Sequence, residues 1–115
     1  MANSVVMRLE KKSFELLKAG KKTWEVRLND DKRKCVGVGD EIVFMKRPEL
    51  EERLPMIVEE KVPFTNVQRL LDKITLSEIG DYANELEFIQ QLMTHYTPGE
   101  MNEKGLVAFK VKLVS

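Results

Sequence analysis

The run from Gly20 to Leu28 (GKKTWEVRL) constrains the fold of this chain more than any other stretch. Gly20 follows a short amphipathic segment, at the point where a left-handed residue commonly ends a helix. Polar and apolar residues then alternate from Thr23 to Leu28, which predicts a strand. Trp24, Val26 and Leu28 would face the core. A role for Trp24 as a platform for base stacking is the alternative to a core role.

The same run carries four ionisable side chains within seven residues, those of Lys21, Lys22, Glu25 and Arg27. Glu25 and Arg27 share the strand face opposite the apolar set. One interpretation is an ordinary surface ion pair, which contributes less than about 1 kcal/mol. The other is a ligand site, in which Lys22 grips a phosphate or carbonyl oxygen. Arg27 would then offer a planar fork, and Glu25 would act as a general base or accept a hydrogen bond from a nucleobase amine.

Hydrophobic patterning along the rest of the chain predicts five strands with interspersed helices, in the order β-α-β-β-β-α-α-β. The predicted strands are Ser4–Leu9, Thr23–Leu28, Glu41–Lys46, Leu54–Phe64 and Gly105–Val114; the main predicted helices are Lys11–Ala19, Thr65–Ile74 and Asn84–Tyr96. This order predicts an α+β fold with a mostly antiparallel, barrel-like sheet.

Three local signals refine these boundaries. Thr65 and Gln68 fit a capping box at the start of a helix. Leu86, Ile89, Met93 and Tyr96 fall on one predicted helical stripe, and Pro98 with Gly99 would break that helix. Residues 29–39 predict an exposed loop that contains the basic run Lys32, Arg33 and Lys34.

Composition limits the class of protein. A chain of 115 residues with 43% hydrophobic residues predicts one soluble globular domain, 1–115. We expect no membrane span, because no apolar run approaches roughly 20 residues, and the N-terminus lacks a signal-peptide pattern. Cys35 and His95 are the only residues of their types, so neither a disulfide nor a metal site is expected, and no cofactor. A reducing cytoplasm is the expected location.

Charge is unevenly distributed although the net charge is zero. Residues 1–47 carry a net charge of +5, and residues 48–115 carry −5. This asymmetry is compatible with a basic face for an anionic ligand. It is equally compatible with two surfaces that attract each other within the fold, or with a protein-interaction module that uses the acidic half.

Three segments together resemble the ASCH family (activating signal cointegrator homology domains), which is PUA-like. These are GKKTWEVRLND, VGDEIVF and GLVAFKVKL, in the expected order and spacing. The family signature Gly-x-Lys-x-x-Glu-x-Arg is matched by Gly20, Lys22, Glu25 and Arg27. The resemblance implies a small barrel of about five or six strands with helices around a cleft, which these four residues would line.

The resemblance also implies an RNA, nucleoside or nucleotide ligand. Tyr96 would close the cleft, and Lys32, Arg33 and Lys34 would steer an RNA backbone towards it. An alternative implied by some family members is a small hydrolase, either an N4-acylcytidine amidohydrolase or a ribonuclease acting on single-stranded RNA, with Lys22 and Glu25 as catalytic residues. The amidohydrolase branch carries a threonine three residues after the lysine. Here Glu25 occupies that position, which argues against a covalent hydroxyl mechanism.

Overall fold

The computed structural model describes residues 3–114, which form a single five-stranded sheet. The strands are β1 (Ser4–Leu9), β2 (Trp24–Leu28), β3 (Glu41–Lys46), β4 (Arg53–Phe64) and β5 (Leu106–Leu113). Their order across the sheet is β1-β3-β4-β5-β2. β1 pairs with β3 in parallel, and the other three pairings are antiparallel. The sheet curls into a half-barrel, so that the α+β, barrel-like prediction is confirmed, with β1 and β2 as its two edges.

In the part of the chain that the structure describes, six helices connect and cover the strands. They are α1 (Lys11–Lys18), α2 (Asp31–Lys34), α3 (Val67–Lys73), α4 (Leu76–Ile79), α5 (Glu85–Met93) and α6 (Pro98–Lys104). Within residues 3–114, none of these helices has the length and apolar character that crossing a bilayer would require.

The curled sheet buries both of its faces. On the inner face, Phe14 and Leu17 of α1 pack against Phe44 of β3 and Phe109 of β5. The outer face packs against α3, α4 and α5 through a second cluster: Trp24, Val26, Leu70, Ile74, Ile79, Phe88, Leu92, Leu106 and Ala108. Trp24 therefore has the predicted core role. Because β5 lies between the two clusters, its apolar residues run almost continuously instead of alternating.

Several predicted helix boundaries are wrong. The side chain of Asn66, not Thr65, caps α3 by accepting a hydrogen bond from the backbone N–H of Arg69 at 2.9 Å. β4 runs to Phe64, and the chain turns into the helix one residue later than predicted. Both residue types cap helices well, so the local sequence does not choose between them.

Pro98 and Gly99 open a helix rather than only ending one. Thr97 and Glu100 form a capping box, in which each side chain bonds the backbone N–H of the other residue, and Pro98 occupies the first turn of α6. Proline is favoured there because its missing N–H has no partner in a helix anyway. The predicted loop after β2 likewise contains α2, which is capped by Asp30.

The predicted apolar stripe on α5 is out of phase with the real one. Phe88 and Leu92 are the buried residues of this helix, whereas Leu86 is 61% exposed and Met93 50% exposed. The helix turns Phe88 towards Tyr82, with ring centroids 5.3 Å apart. Phe88 and Leu92 thereby belong to the cluster on the outer face of the sheet.

Two glycines with positive φ, Gly105 and Gly20, differ in how closely the surrounding chain packs against them. Gly105 (φ 73°, ψ −174°) adopts a backbone conformation that is essentially restricted to glycine, and a Cβ there would lie 2.6 Å from the carbonyl oxygen of Phe64. Gly20 (φ 75°) ends α1 in open space, with nothing within 4 Å of a Cβ.

We therefore expect Gly105→Ala to lower the free energy of unfolding by more than about 2 kcal/mol, and Gly20→Ala by about 1 kcal/mol. Urea denaturation of the two variants measures the difference. Equal losses would show that the contact with Phe64 does not constrain position 105.

Candidate functional site

A buried carboxylate between two cations forms the centre of the candidate site. Glu25 Oε1 lies 2.8 Å from Lys22 Nζ, and Glu25 Oε2 lies 2.6 Å from Arg27 Nε. The side chains of Lys22, Glu25 and Arg27 are only 5%, 6% and 13% exposed. The interpretation as a surface ion pair is therefore wrong. The alternation along β2 is as predicted, but the face opposite Trp24 is the inner face of the half-barrel, where Glu25 lies opposite Phe109 in the register.

The two cations connect β2 to its surroundings. Lys22 Nζ donates to the hydroxyl of Ser13 on α1 at 3.3 Å. Arg27 Nη2 donates to the backbone carbonyl of Arg8 on β1 at 2.8 Å. Since β1 and β2 are the opposite edges of the sheet, this second bond spans the open side of the half-barrel.

Electrostatic compensation determines the ionisation of the cluster. Burial alone would raise the pKa of Glu25, but the charges of Lys22 and Arg27 outweigh it and lower this pKa to about 2. Burial likewise works to lower the pKa of Arg27, and Glu25 and Tyr96 reverse that effect, so the pKa is raised. Glu25 is consequently an anion throughout the neutral range and a weak proton acceptor.

A cleft of about 280 Å³ opens beside this cluster. Five cationic side chains and two carboxylates line it: Arg8, Lys22, Arg27, Arg33 and Arg47, with Glu10 and Glu25. Glu25 is fully engaged with Lys22 and Arg27, and Glu10 lies 3.7 Å from Arg47. The cleft therefore carries an excess of positive charge, which favours an anionic ligand.

The remaining lining of the cleft is largely aromatic and apolar. It is formed by Ile79, Tyr82, Phe88, Leu92, His95 and Tyr96, from α4, α5 and the adjoining segments. A cleft that has both aromatic and cationic side chains combines rings on which a base can stack with groups that bind phosphate.

The structure brings most of the predicted site residues together. Lys22, Glu25, Arg27, Tyr96 and Arg33 line the cleft. Gly20 does not; its role in the fold is to end α1. Lys32 and Lys34 are exposed on α2 and do not line the cleft either.

Arg33 differs from the two lysines beside it. Its Nη1 lies 2.7 Å from Asp30 Oδ2, so the guanidinium is held against the start of α2 and faces the cleft. Of the three residues predicted to steer an RNA backbone, only Arg33 lies at the cleft, and the steering role itself stays a prediction.

Sequence reasoning missed most of the other lining residues, among them Arg8, Ser13, Arg47 and Tyr82. Arg8 lies on the solvent side of β1 in the alternation, and Arg47 follows β3. No local pattern links them to Glu25. They meet it because the parallel pairing of β1 with β3 brings the ends of both strands to one side of the cleft.

Among residues 3–114, no three His, Cys, Asp or Glu side chains come together in a way that could hold a metal ion. Cations and hydroxyls instead outnumber the carboxylates among the polar groups of the cleft. Such groups bind anions and hydrogen-bond acceptors.

The family model of the ASCH domain matches residues 7–115. The chain belongs to the ASCH domain family. Its half-barrel is accordingly PUA-like, as the resemblance implied. No curated protein shows significant similarity to this ASCH domain.

Solved structures support the same assignment. The hypothetical protein PH0355 is 25% identical, with a TM-score of 0.86 over 96% of this chain and 99% of that one. Protein PF0455 from Pyrococcus furiosus is also 25% identical, with a TM-score of 0.76 over 100% and 99% of the two chains. ASCH from Zymomonas mobilis shares the fold at 18% identity, with a TM-score of 0.66 over 93% of this chain and 65% of that chain.

The buried cluster generates a prediction about stability. Glu25→Gln leaves two buried cations without their counter-charge, and we expect it to lower the free energy of unfolding at pH 7 by about 3 kcal/mol. Glu51→Gln, at an exposed carboxylate in the β3–β4 connection, should change it by less than about 0.5 kcal/mol. Urea denaturation compares the two variants.

The pH dependence separates charge from packing in this experiment. A depressed carboxyl pKa stabilises the fold above its unfolded value of about 4.5, and this stabilisation is lost as the pH falls towards 2. The difference between the wild type and Glu25→Gln should therefore shrink between pH 4.5 and pH 2. A difference that stays constant over this range would contradict an electrostatic origin.

Proposed function

We propose that the cleft binds single-stranded RNA or a nucleotide through its phosphate and one unstacked base. The observation that carries this proposal is a single cleft lined both by five cationic side chains and by aromatic rings. Membership of the ASCH family favours a nucleic-acid ligand as well.

The size of the cleft argues for a small binding unit. Its volume of about 280 Å³ lies at the lower end of small-molecule sites, which range from roughly 300 to 1,000 Å³. Double-stranded RNA is recognised over a long, shallow surface, whereas single strands present bases that can enter a concave site. A cleft of this size suits one nucleotide unit.

The cationic residues divide into two groups by exposure. Lys22 and Arg27 are buried and already bonded to Glu25, and they form the floor of the cleft. Arg8 and Arg47 are exposed at the rim, where a phosphate can reach both side chains, although Arg47 also lies 3.7 Å from Glu10. We therefore assign the first contact with phosphate to Arg8 and Arg47, with Arg33 beside them.

The geometry supports binding better than the hydrolase alternative. A general base must accept a proton, but the pKa of Glu25 is about 2 and both of its oxygens are engaged by cations. Lys22 is better placed to stabilise negative charge than to remove a proton, since it lies against Glu25. Turnover of an N4-acylcytidine or of single-stranded RNA that disappears in Glu25→Gln would favour the hydrolase instead.

Binding of a short single-stranded RNA tests the proposal. Arg8→Gln and Arg47→Gln should each weaken binding roughly threefold to tenfold and reduce the dependence of the logarithm of affinity on that of salt concentration by about 0.7. Fluorescence anisotropy across a salt series measures both quantities.

Arg69→Gln is the matched control, because Arg69 is an exposed arginine on α3 outside the cleft. The Arg69→Gln variant should bind the RNA with the affinity and the salt dependence of the wild type. Rim variants that behave like Arg69→Gln, or binding that does not respond to salt, would overturn the proposal.

A further inference from the structure

A second cavity adjoins the cleft. It has a volume of about 320 Å³ and lies between α1 and the segment that joins α4 to α5. Four residues line both spaces: Glu10, Ser13, Tyr82 and Gln91. The two cavities are therefore neighbours, separated by these side chains.

Among the four, only Tyr82 places a large, anchored ring at the boundary. Glu10 and Gln91 are exposed, and Ser13 is small. The Tyr82 ring lies tilted against Phe88, with the centroids 5.3 Å apart. The ring also lies against Gly80, where an added Cβ would be 2.6 Å from Tyr82 Cε2. A larger residue at position 80 would displace the ring.

The surroundings of Tyr82 agree with this position. Burial raises the pKa of its hydroxyl, and Glu25 and Glu87 raise it further. Glu25 belongs to the floor of the cleft, and Glu87 lines the second cavity. Tyr82 is thus influenced by a carboxylate on each side.

The two cavities differ in charge. The second cavity is lined by Glu10, Asp81 and Glu87, with Lys12 as its single cation, and Lys12 is itself 3.5 Å from Asp81. A second phosphate would be repelled there. Any part of a ligand that passes Tyr82 must accordingly be uncharged or cationic.

We infer that Tyr82 sets the size of ligand that the cleft accepts, an inference that rests on the proposed function. Its ring closes the cleft behind a single nucleotide and keeps uncharged extensions out of the second cavity. Removal of the ring joins the two cavities and admits a larger ligand with the same phosphate.

The test compares AMP with two enlarged analogues that carry no second phosphate, N6-benzyl-AMP and the 2′/3′-O-(N-methylanthraniloyl) ester of AMP. One is enlarged at the base and the other at the ribose, so either orientation of the nucleotide is covered. Isothermal titration calorimetry gives the affinity ratio of AMP to each analogue for the wild type and for Tyr82→Ala, Tyr82→Leu and Tyr82→Phe.

We expect the wild type to bind AMP at least about tenfold more tightly than either analogue. In Tyr82→Ala, the affinity ratio of AMP to at least one analogue should fall about tenfold, because that analogue binds relatively better. Tyr82→Leu keeps an apolar side chain against Phe88, which protects folding, and should shift the ratio in the same direction by about threefold. Tyr82→Phe retains the ring and should keep the wild-type ratio.

An unchanged ratio in Tyr82→Ala and Tyr82→Leu would overturn the inference, as would equal binding of AMP and both analogues by the wild type. Binding of single-stranded RNA without binding of AMP would overturn it while leaving the proposed function intact. A wild type that binds neither AMP nor single-stranded RNA would instead contradict the proposed function.

Discussion

The carboxylate of Glu25 is the interaction on which the site depends. Two cations, Lys22 and Arg27, are buried at the open side of the half-barrel, and a buried charge without a partner is costly. Glu25 compensates both cations at once, one with each oxygen. In this arrangement Lys22 donates to Ser13 on α1, and Arg27 donates to the backbone of Arg8 on β1. One anion therefore holds β2, α1 and β1 together around the cleft.

The topology of the sheet explains why a charged cluster lies between β1 and β2. β1 and β2 are edge strands of one sheet, and an unpaired edge carries backbone groups that require partners. Arg27 supplies one such partner by donating to the carbonyl of Arg8. The half-barrel thereby keeps the cleft of about 280 Å³ open while its two edges remain connected through a side chain.

The parts of the fold that the sequence predicts are those with local causes. Alternation identified β2 and the faces of Trp24 and Glu25, because side-chain direction in a strand depends only on parity. The burial of Glu25 could not be predicted this way, since the inner face is covered by α1 through long-range packing. Thr97 and Glu100 did carry a capping signal, but proline and glycine after Thr97 also indicate a helix end.

The site was predictable to the same extent. The ASCH signature identified Lys22, Glu25 and Arg27, whereas Arg8, Arg47 and Tyr82 come from other elements and meet the cluster only in the folded chain. The arrangement of the site requires that Glu25 be a stable anion between two cations. A ¹³C NMR titration of its side-chain carboxyl tests this most directly. We predict a midpoint near pH 2; a midpoint near the ordinary value of about 4.5 would contradict an ionised Glu25 held by Lys22 and Arg27.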